Sequence, residues 1–128
     1  MILDTSAIVA VFMKEPGADA VVAKMGAATA LAVGTPTLVE TGIVLTARIG
    51  AHARALLAQF VTEFGIVVVP FGEGHWRAAV DAYRRFGKGR HGVALNFGDC
   101  LSYATAKLAQ EPLLCTGRDF ARTDLELA

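Results

Sequence analysis

Ile66-Val67-Val68-Val69 is a β-branched, wholly apolar run with no polar alternation. Such a run is the signature of a strand covered on both faces. A strand of that kind needs helices above and below it, and the rest of the chain offers them in alternation. Ile2 to Asp4 reads as a short strand, followed by a helix over Thr5 to Lys14, and Glu15-Pro16-Gly17 punctuates. Ala18 to Met25 reads as a second helix ended by Gly26, and Ala30 to Val33 as a strand. Thr35 is placed as an N-cap with Pro36 in the first helical position, and Gly50 closes that helix. Helices are then expected over Ala51 to Phe64 and Gly74 to Phe86, and a glycine-rich, basic loop over Gly87 to Gly92. A last helix over Asp99 to Gln110 precedes a core strand at Leu113 to Cys115, and Thr123 to Leu127 could add an edge. Short apolar strands alternating with helices predict an α/β fold with a doubly wound parallel sheet of four to five strands and helices on both faces.

In an open parallel sheet the functional crevice lies at the carboxyl ends of the strands. Asp4, Thr116 and Asp119 all follow candidate strands directly, so that edge can collect them. Each acid at issue is embedded in apolar sequence, where an unpaired charge is costly unless it meets a cation. Glu40 has Pro36, Thr37, Ile43 and Val44 at the helical spacings, and none can pair with it. It is therefore expected to face inward, toward a cation or a distant basic group. Asp99 has Leu95, Asn96, Ser102 and Tyr103 at those spacings. It reads as a helix N-cap, as a metal ligand, or as both, since a helix N-terminus favours an ionised carboxylate. Asp4 is open to the same two readings and precedes the hydroxyls of Thr5 and Ser6. Asp119 has Arg118 and Arg122 close by, so a surface ion pair and a site role both stand. Hard divalent cations prefer carboxylate oxygens, so several such acids on one rim point to a metal-assisted reaction.

The 128 residues suffice for one domain over residues 1–128, and the 54% hydrophobic content suffices for its core. Twelve basic residues balance twelve acidic ones, so net charge gives no sign of a nucleic-acid partner. Arg84, Arg85, Lys88, Arg90 and His91 nevertheless cluster, either as a solvated face or as a patch contacting phosphates. No apolar stretch approaches the roughly 18 to 20 residues of a membrane helix, and Asp4 interrupts the N-terminal apolar run, against a signal peptide. Cys100 and Cys115 lack C-x-x-C spacing and suit small buried residues in a reduced, cytoplasmic protein. His52, His75 and His91 show no metal-ligand spacing. The phosphate-loop, dinucleotide and nucleophile-elbow motifs are absent.

Several segments in this order resemble the PIN-domain ribonucleases, and within them the VapC-like toxins of bacterial type II toxin–antitoxin pairs. They are Asp4-Thr5-Ser6-Ala7 after an apolar start, Glu15-Pro16, the isolated helical Glu40, Asn96-Phe97-Gly98-Asp99-Cys100, and Leu113-Leu114-Cys115-Thr116-Gly117-Arg118-Asp119-Phe120. The segment from Tyr83 to His91 is similar to a common branch of the family. The resemblance spans nearly the whole chain and implies RNA cleavage dependent on Mg²⁺ or Mn²⁺, a homodimer, and neutralisation by a small cognate antitoxin. It places Asp4, Glu40 and Asp99 at the catalytic site. Many relatives carry a fourth acid or an asparagine two positions after the threonine, where this chain has Arg118; Asp119, one position beyond, either takes over as the fourth catalytic acid or is merely adjacent.

On that reading Asp4 and Asp99 hold the metal, and Glu40 binds through a water or deprotonates it. Thr5, Ser6 and Thr116 aim the carboxylates, and Arg84, Arg85, Lys88 and Arg90 contact RNA. Two rivals differ in class. A phospho-receiver domain would need paired acids at the first strand and a lysine after a late strand, whereas only Asp4 is present and Lys107 falls in a helix. A PIN-like binding module without catalysis would not need Asp4, Glu40 and Asp99 intact.

Overall fold

The computed structural model of the protein describes residues 1–87, 89 and 94–128. Ten elements follow in order: β1 (Ile2–Leu3), α1 (Thr5–Phe12), α2 (Ala18–Ala27), β2 (Ala32–Gly34), α3 (Thr35–Ile49), α4 (Ala53–Glu63), β3 (Val67–Val69), α5 (Glu73–Phe86), α6 (Phe97–Ala109) and β4 (Leu113–Leu114). The strands form one parallel sheet in the order β3-β2-β1-β4. Ile2 is in register with Ala32 on one side and Leu113 on the other. No helix among the described residues is long and apolar enough to cross a membrane.

Successive strand residues point to opposite faces, and the two hydrophobic cores sort accordingly. Leu3, Val33 and Leu114 pack with Ala7 and Ile8 of α1, Val21 and Met25 of α2, Leu45 of α3 and Leu57 and Phe60 of α4. Ile2 and Leu113 pack on the other face with Ala82 and Phe86 of α5 and Cys100, Tyr103 and Ala106 of α6. Both faces of the sheet are thus covered by helices, and β1, central with β2, contributes one side chain to each core.

Several boundaries differ from the sequence expectation, each for a local reason. Gly34, not Thr35, caps α3, because the Thr35 hydroxyl instead donates to the Val69 carbonyl at 2.9 Å and ties the helix start to β3. The first helix stops at Phe12, and Lys14 takes a left-handed conformation at φ 51°. Gly26 does not end α2, which continues to Ala27. The helix expected to start at Asp99 begins at Phe97, because Asn96 takes the cap. The Thr123 to Leu127 segment contributes one bridge, Leu127 to Leu113, rather than a fifth strand.

Val67 and Val68, inside the β-branched run, are not covered on both faces. They are 58% and 41% exposed: they lie on one edge strand of the sheet and join neither hydrophobic core. Continuous β-branched composition therefore reported strand preference here and not two-sided burial. A pair of variants tests this assignment by urea unfolding. Leu114→Ala, at a site 1% exposed, should cost about 2 to 5 kcal/mol. Val67→Thr should stay within about 0.5 kcal/mol of wild type, as expected of an exposed position.

Candidate active site

The carboxyl edge of the sheet opens into a cleft of about 280 Å³ lined by Asp4, Thr5, Ser6, Val9, Glu15, Glu40, Val44, Asp99 and Thr116. Asp4 arrives there because β1 ends at Leu3 and α1 begins at Thr5. Its backbone N–H still pairs with the Leu114 carbonyl at 3.0 Å, while its side chain caps α1 by accepting from the Ser6 N–H at 3.0 Å. The Ser6 hydroxyl donates to the same Oδ2 at 2.6 Å and accepts from the Thr116 backbone N–H at 3.0 Å. From α6, the Ser102 hydroxyl donates to Asp4 Oδ1 at 2.5 Å. Asp4 is only 4% exposed, and both of its oxygens have donors.

Glu40 sits one turn into α3 and turns inward, as its apolar flanks predicted. Thr5 donates to its Oε1 at 2.6 Å. The Thr41 hydroxyl lies 3.1 Å from that of Thr5 and donates to the Thr37 carbonyl at 2.7 Å. The other face of the Glu40 carboxylate lies against Gly98, where an added Cβ would collide with Oε2 and Oε1. Glycine at position 98 is what lets α3 and the first turn of α6 approach this closely.

Asp99 is the third residue of α6 and forms a reciprocal cap with Asn96. Its backbone N–H donates to Asn96 Oδ1 at 2.9 Å, and its Oδ2 accepts from the Asn96 N–H at 3.0 Å. Its carboxyl is pushed up to about 6. Burial contributes most, the Asn96 hydrogen bond opposes it, and the negative charges of Asp4, Asp119 and Glu40 add to it. The Cys115 thiol responds to the same field, raised to about 11 by burial and then by Asp4, Asp119 and Asp99.

Asp119 is exposed and does not line the cleft, yet its charge is felt by Asp99. Among the described residues it forms no ion pair with Arg118 or Arg122. Thr116 lines the cleft, but it is its backbone N–H, through Ser6, that joins the hydrogen-bond network. Arg84 pairs with Asp81 at 3.6 Å and Arg85 with Asp124 at 3.4 Å, and neither lines the cleft. Lys88 and Arg90 lie outside the described residues. Sequence reasoning missed Ser102, Thr37 and Thr41, whose only signal was hydroxyl residues on helix faces that had to be buried. It also missed Glu15 as a lining residue, here 3.9 Å from Arg48.

The donor set consists of carboxylates and hydroxyls, the oxygen chemistry that Mg²⁺-like cations take. Among the described residues no three acidic, histidine or cysteine side chains already make a closed ligand cage. An ion that keeps several waters and uses one or two carboxylates does not need one. Burial, with a smaller addition from the acidic neighbours, raises Asp99, and a bound cation would offset both by favouring the ionised carboxylate.

A family model for the PIN domain matches residues 1–126. This chain belongs to the PIN-domain family. The PIN-domain chain is 48% identical over 127 residues to Ribonuclease VapC36 of Mycobacterium tuberculosis, an alignment covering 98% of this chain and 91% of that relative. Its fold is similar to that of Mycobacterium tuberculosis VapC20, described as a sarcin-ricin loop cleaving toxin. The TM-score is 0.81 at 16% identity, over 99% of this chain and 97% of that one. It is similar as well to VapBC2 from Rickettsia felis, solved bound to a DNA fragment from the promoter, with a TM-score of 0.76 at 15% identity over 99% and 96% of the two chains.

The raised carboxyl of Asp99 gives this PIN domain a pH signature. Between the ordinary value of 3.8 and about 6, the folded protein binds the Asp99 proton more tightly than the unfolded chain. Asp99 therefore favours the cation-free fold most below the ordinary value, and that contribution is lost as pH rises through about 6. Carboxylate-selective NMR titration of the cation-free protein should give an Asp99 midpoint near 6, and a midpoint near 3.8 would contradict the burial and repulsion described here.

Proposed function

We propose that this protein is a divalent-cation-dependent endoribonuclease and the toxin of a type II toxin–antitoxin pair, cleaving cellular RNA to arrest growth. The observation that carries the reading is the convergence of Asp4, Glu40 and Asp99, from three separate elements, on one cleft. Hydroxyls and backbone N–H groups hold them there, and among the described residues none of the three has an ion-pair partner. The 48% identity to a relative named a ribonuclease supports the same chemistry.

Asp4 and Asp99 are the residues that would hold Mg²⁺, with Mn²⁺ able to replace it. When bound, such an ion lowers the pKa of a water and neutralises charge on the scissile phosphate. Ser6 and Thr116 fix Asp4 from the loop side, so its carboxylate cannot swing away from the cleft. Thr5 occupies Glu40 Oε1, which leaves Oε2 as the acceptor that takes a proton from the attacking water. Asn96 holds Asp99 through one oxygen and leaves the other for the cleft. Asp119 adds negative charge at the rim and helps set the field around Asp99. RNA is held by the basic segment preceding α6, with Arg84, Arg85, Lys88 and Arg90, because a chain of zero net charge needs a local positive field to retain a polyanion. The partners that belong to this reading are a small cognate antitoxin and a second copy of the chain, in the cytoplasm.

A phospho-receiver reading is disfavoured because no lysine lines the acidic cleft among the described residues, and Lys107 instead pairs with Asp124 at 2.8 Å. A silent binding module would have no use for three acids held at the cost of mutual repulsion.

Purified protein incubated with total RNA should produce new ends in Mg²⁺ and none in excess EDTA. Asp99→Asn should retain the fold, since the asparagine carbonyl can still accept from the Asn96 N–H, yet reduce cleavage to background. Undiminished cleavage by that variant, or in EDTA, would sink the mechanism.

Asp119→Asn separates a rim charge from a bystander. It should lower cleavage by about 10- to 100-fold, the usual effect of a residue acting from just outside a metal centre. Wild-type rates would return Asp119 to the ordinary surface.

A further inference from the structure

Ser102 is wholly buried on α6, one turn beyond Asp99, and its hydroxyl is 2.5 Å from Asp4 Oδ1. Its oxygen also lies 3.2 Å from the Thr37 hydroxyl of α3, which is 1% exposed. A serine has one proton to give. With that proton committed to the Asp4 carboxylate, Thr37 must donate to Ser102. The result is a one-way chain, Thr37 to Ser102 to Asp4, in which each bond polarises the next. The Thr37 carbonyl meanwhile accepts from Thr41, whose hydroxyl neighbours Thr5 and so Glu40. Ser102 is therefore the only residue of α6 whose side chain, among the described residues, bonds directly to an acid of another element in the cleft.

We propose that Ser102 is a positioning residue for Asp4, fixing the plane of its carboxylate from the α6 side so that the cation-binding lone pairs face the cleft. The proposal rests on the cleft being a cation site. Ser6 grips Oδ2 from the α1 side. Ser102 grips Oδ1 from the α6 side, so the carboxylate is held by both oxygens and its plane is fixed. Because the same helix carries Asp99, the contact also sets the spacing between the two acids. Outer partners of this kind tune metal affinity without touching the ion.

The test titrates Mn²⁺ into purified cation-free protein by calorimetry, with the urea midpoint of each variant recorded alongside. Ser102→Ala should weaken Mn²⁺ binding by about 10- to 100-fold, and Ser102→Cys, similar in size but a weak donor, should fall between it and wild type. Thr105→Val is the control. Thr105 is a buried hydroxyl of the same helix that donates only to the Leu101 carbonyl, so its loss should leave Mn²⁺ affinity unchanged. Unaltered affinity in Ser102→Ala would overturn the proposal while leaving the metal centre standing. Equal losses in Ser102→Ala and Thr105→Val would also overturn it, as a general weakening of α6. If Ser102→Ala does not fold, wild-type affinity in Ser102→Cys overturns it instead. A wild-type protein that binds no Mn²⁺ would remove the cation reading, and the proposal with it.

Discussion

A buried carboxylate at the end of the central strand β1 is the constraint around which the working edge of this molecule is arranged. Asp4 is removed from water almost completely, and an ionised carboxylate in that position is tolerated only when its oxygens are supplied with donors. Serine hydroxyls and a helix-start N–H supply them here. These donors come from α1 and α6, and through Thr116 the loop after β4 is drawn in as well. Satisfying one charge thus fixes the relative position of the helices on the two faces of the sheet at the point where they meet the cleft.

Hydroxyls differ from the arginine or lysine that would more commonly neutralise a buried acid. A basic partner would cancel the charge and fill the space beside it. A hydroxyl satisfies a lone pair and leaves the charge in place. The consequence is visible at Asp99, whose carboxyl is raised by burial and by its acidic neighbours, and at Cys115, whose thiol is raised by burial and the same field. The cluster stores repulsion that a cation would release, and the fold tolerates this because the acids sit on rigid strand and helix ends backed by two apolar cores.

Glu40 shows how a single glycine completes that arrangement. Its helix, α3, would be held away from α6 by any side chain at position 98, because a Cβ there would strike the carboxylate. Gly98 lies directly before Asp99, so the residue that admits Glu40 and an acid that feels its charge are consecutive in the chain.

The sequence by itself determined the order of elements, the parallel sheet with helices on both faces, and the three acids of the cleft. Those are the features that local pattern dictates: apolar runs make strands, helical spacing exposes an acid without partners, and strand ends share one edge. Only the tertiary structure decided which edge strand was left uncovered: Val67 and Val68, alike in sequence to a core strand, came out exposed, while Leu113 and Leu114 on the other edge are buried. It likewise decided that Asn96 rather than Asp99 caps α6, because both can cap and only their reciprocal bonding distinguishes them. Ser102 and Thr37 were illegible in the chain. A hydroxyl on an apolar helix face carries no mark of its partner, and the one it finds is 98 residues away from Ser102, across a sheet edge that exists only once the chain has folded.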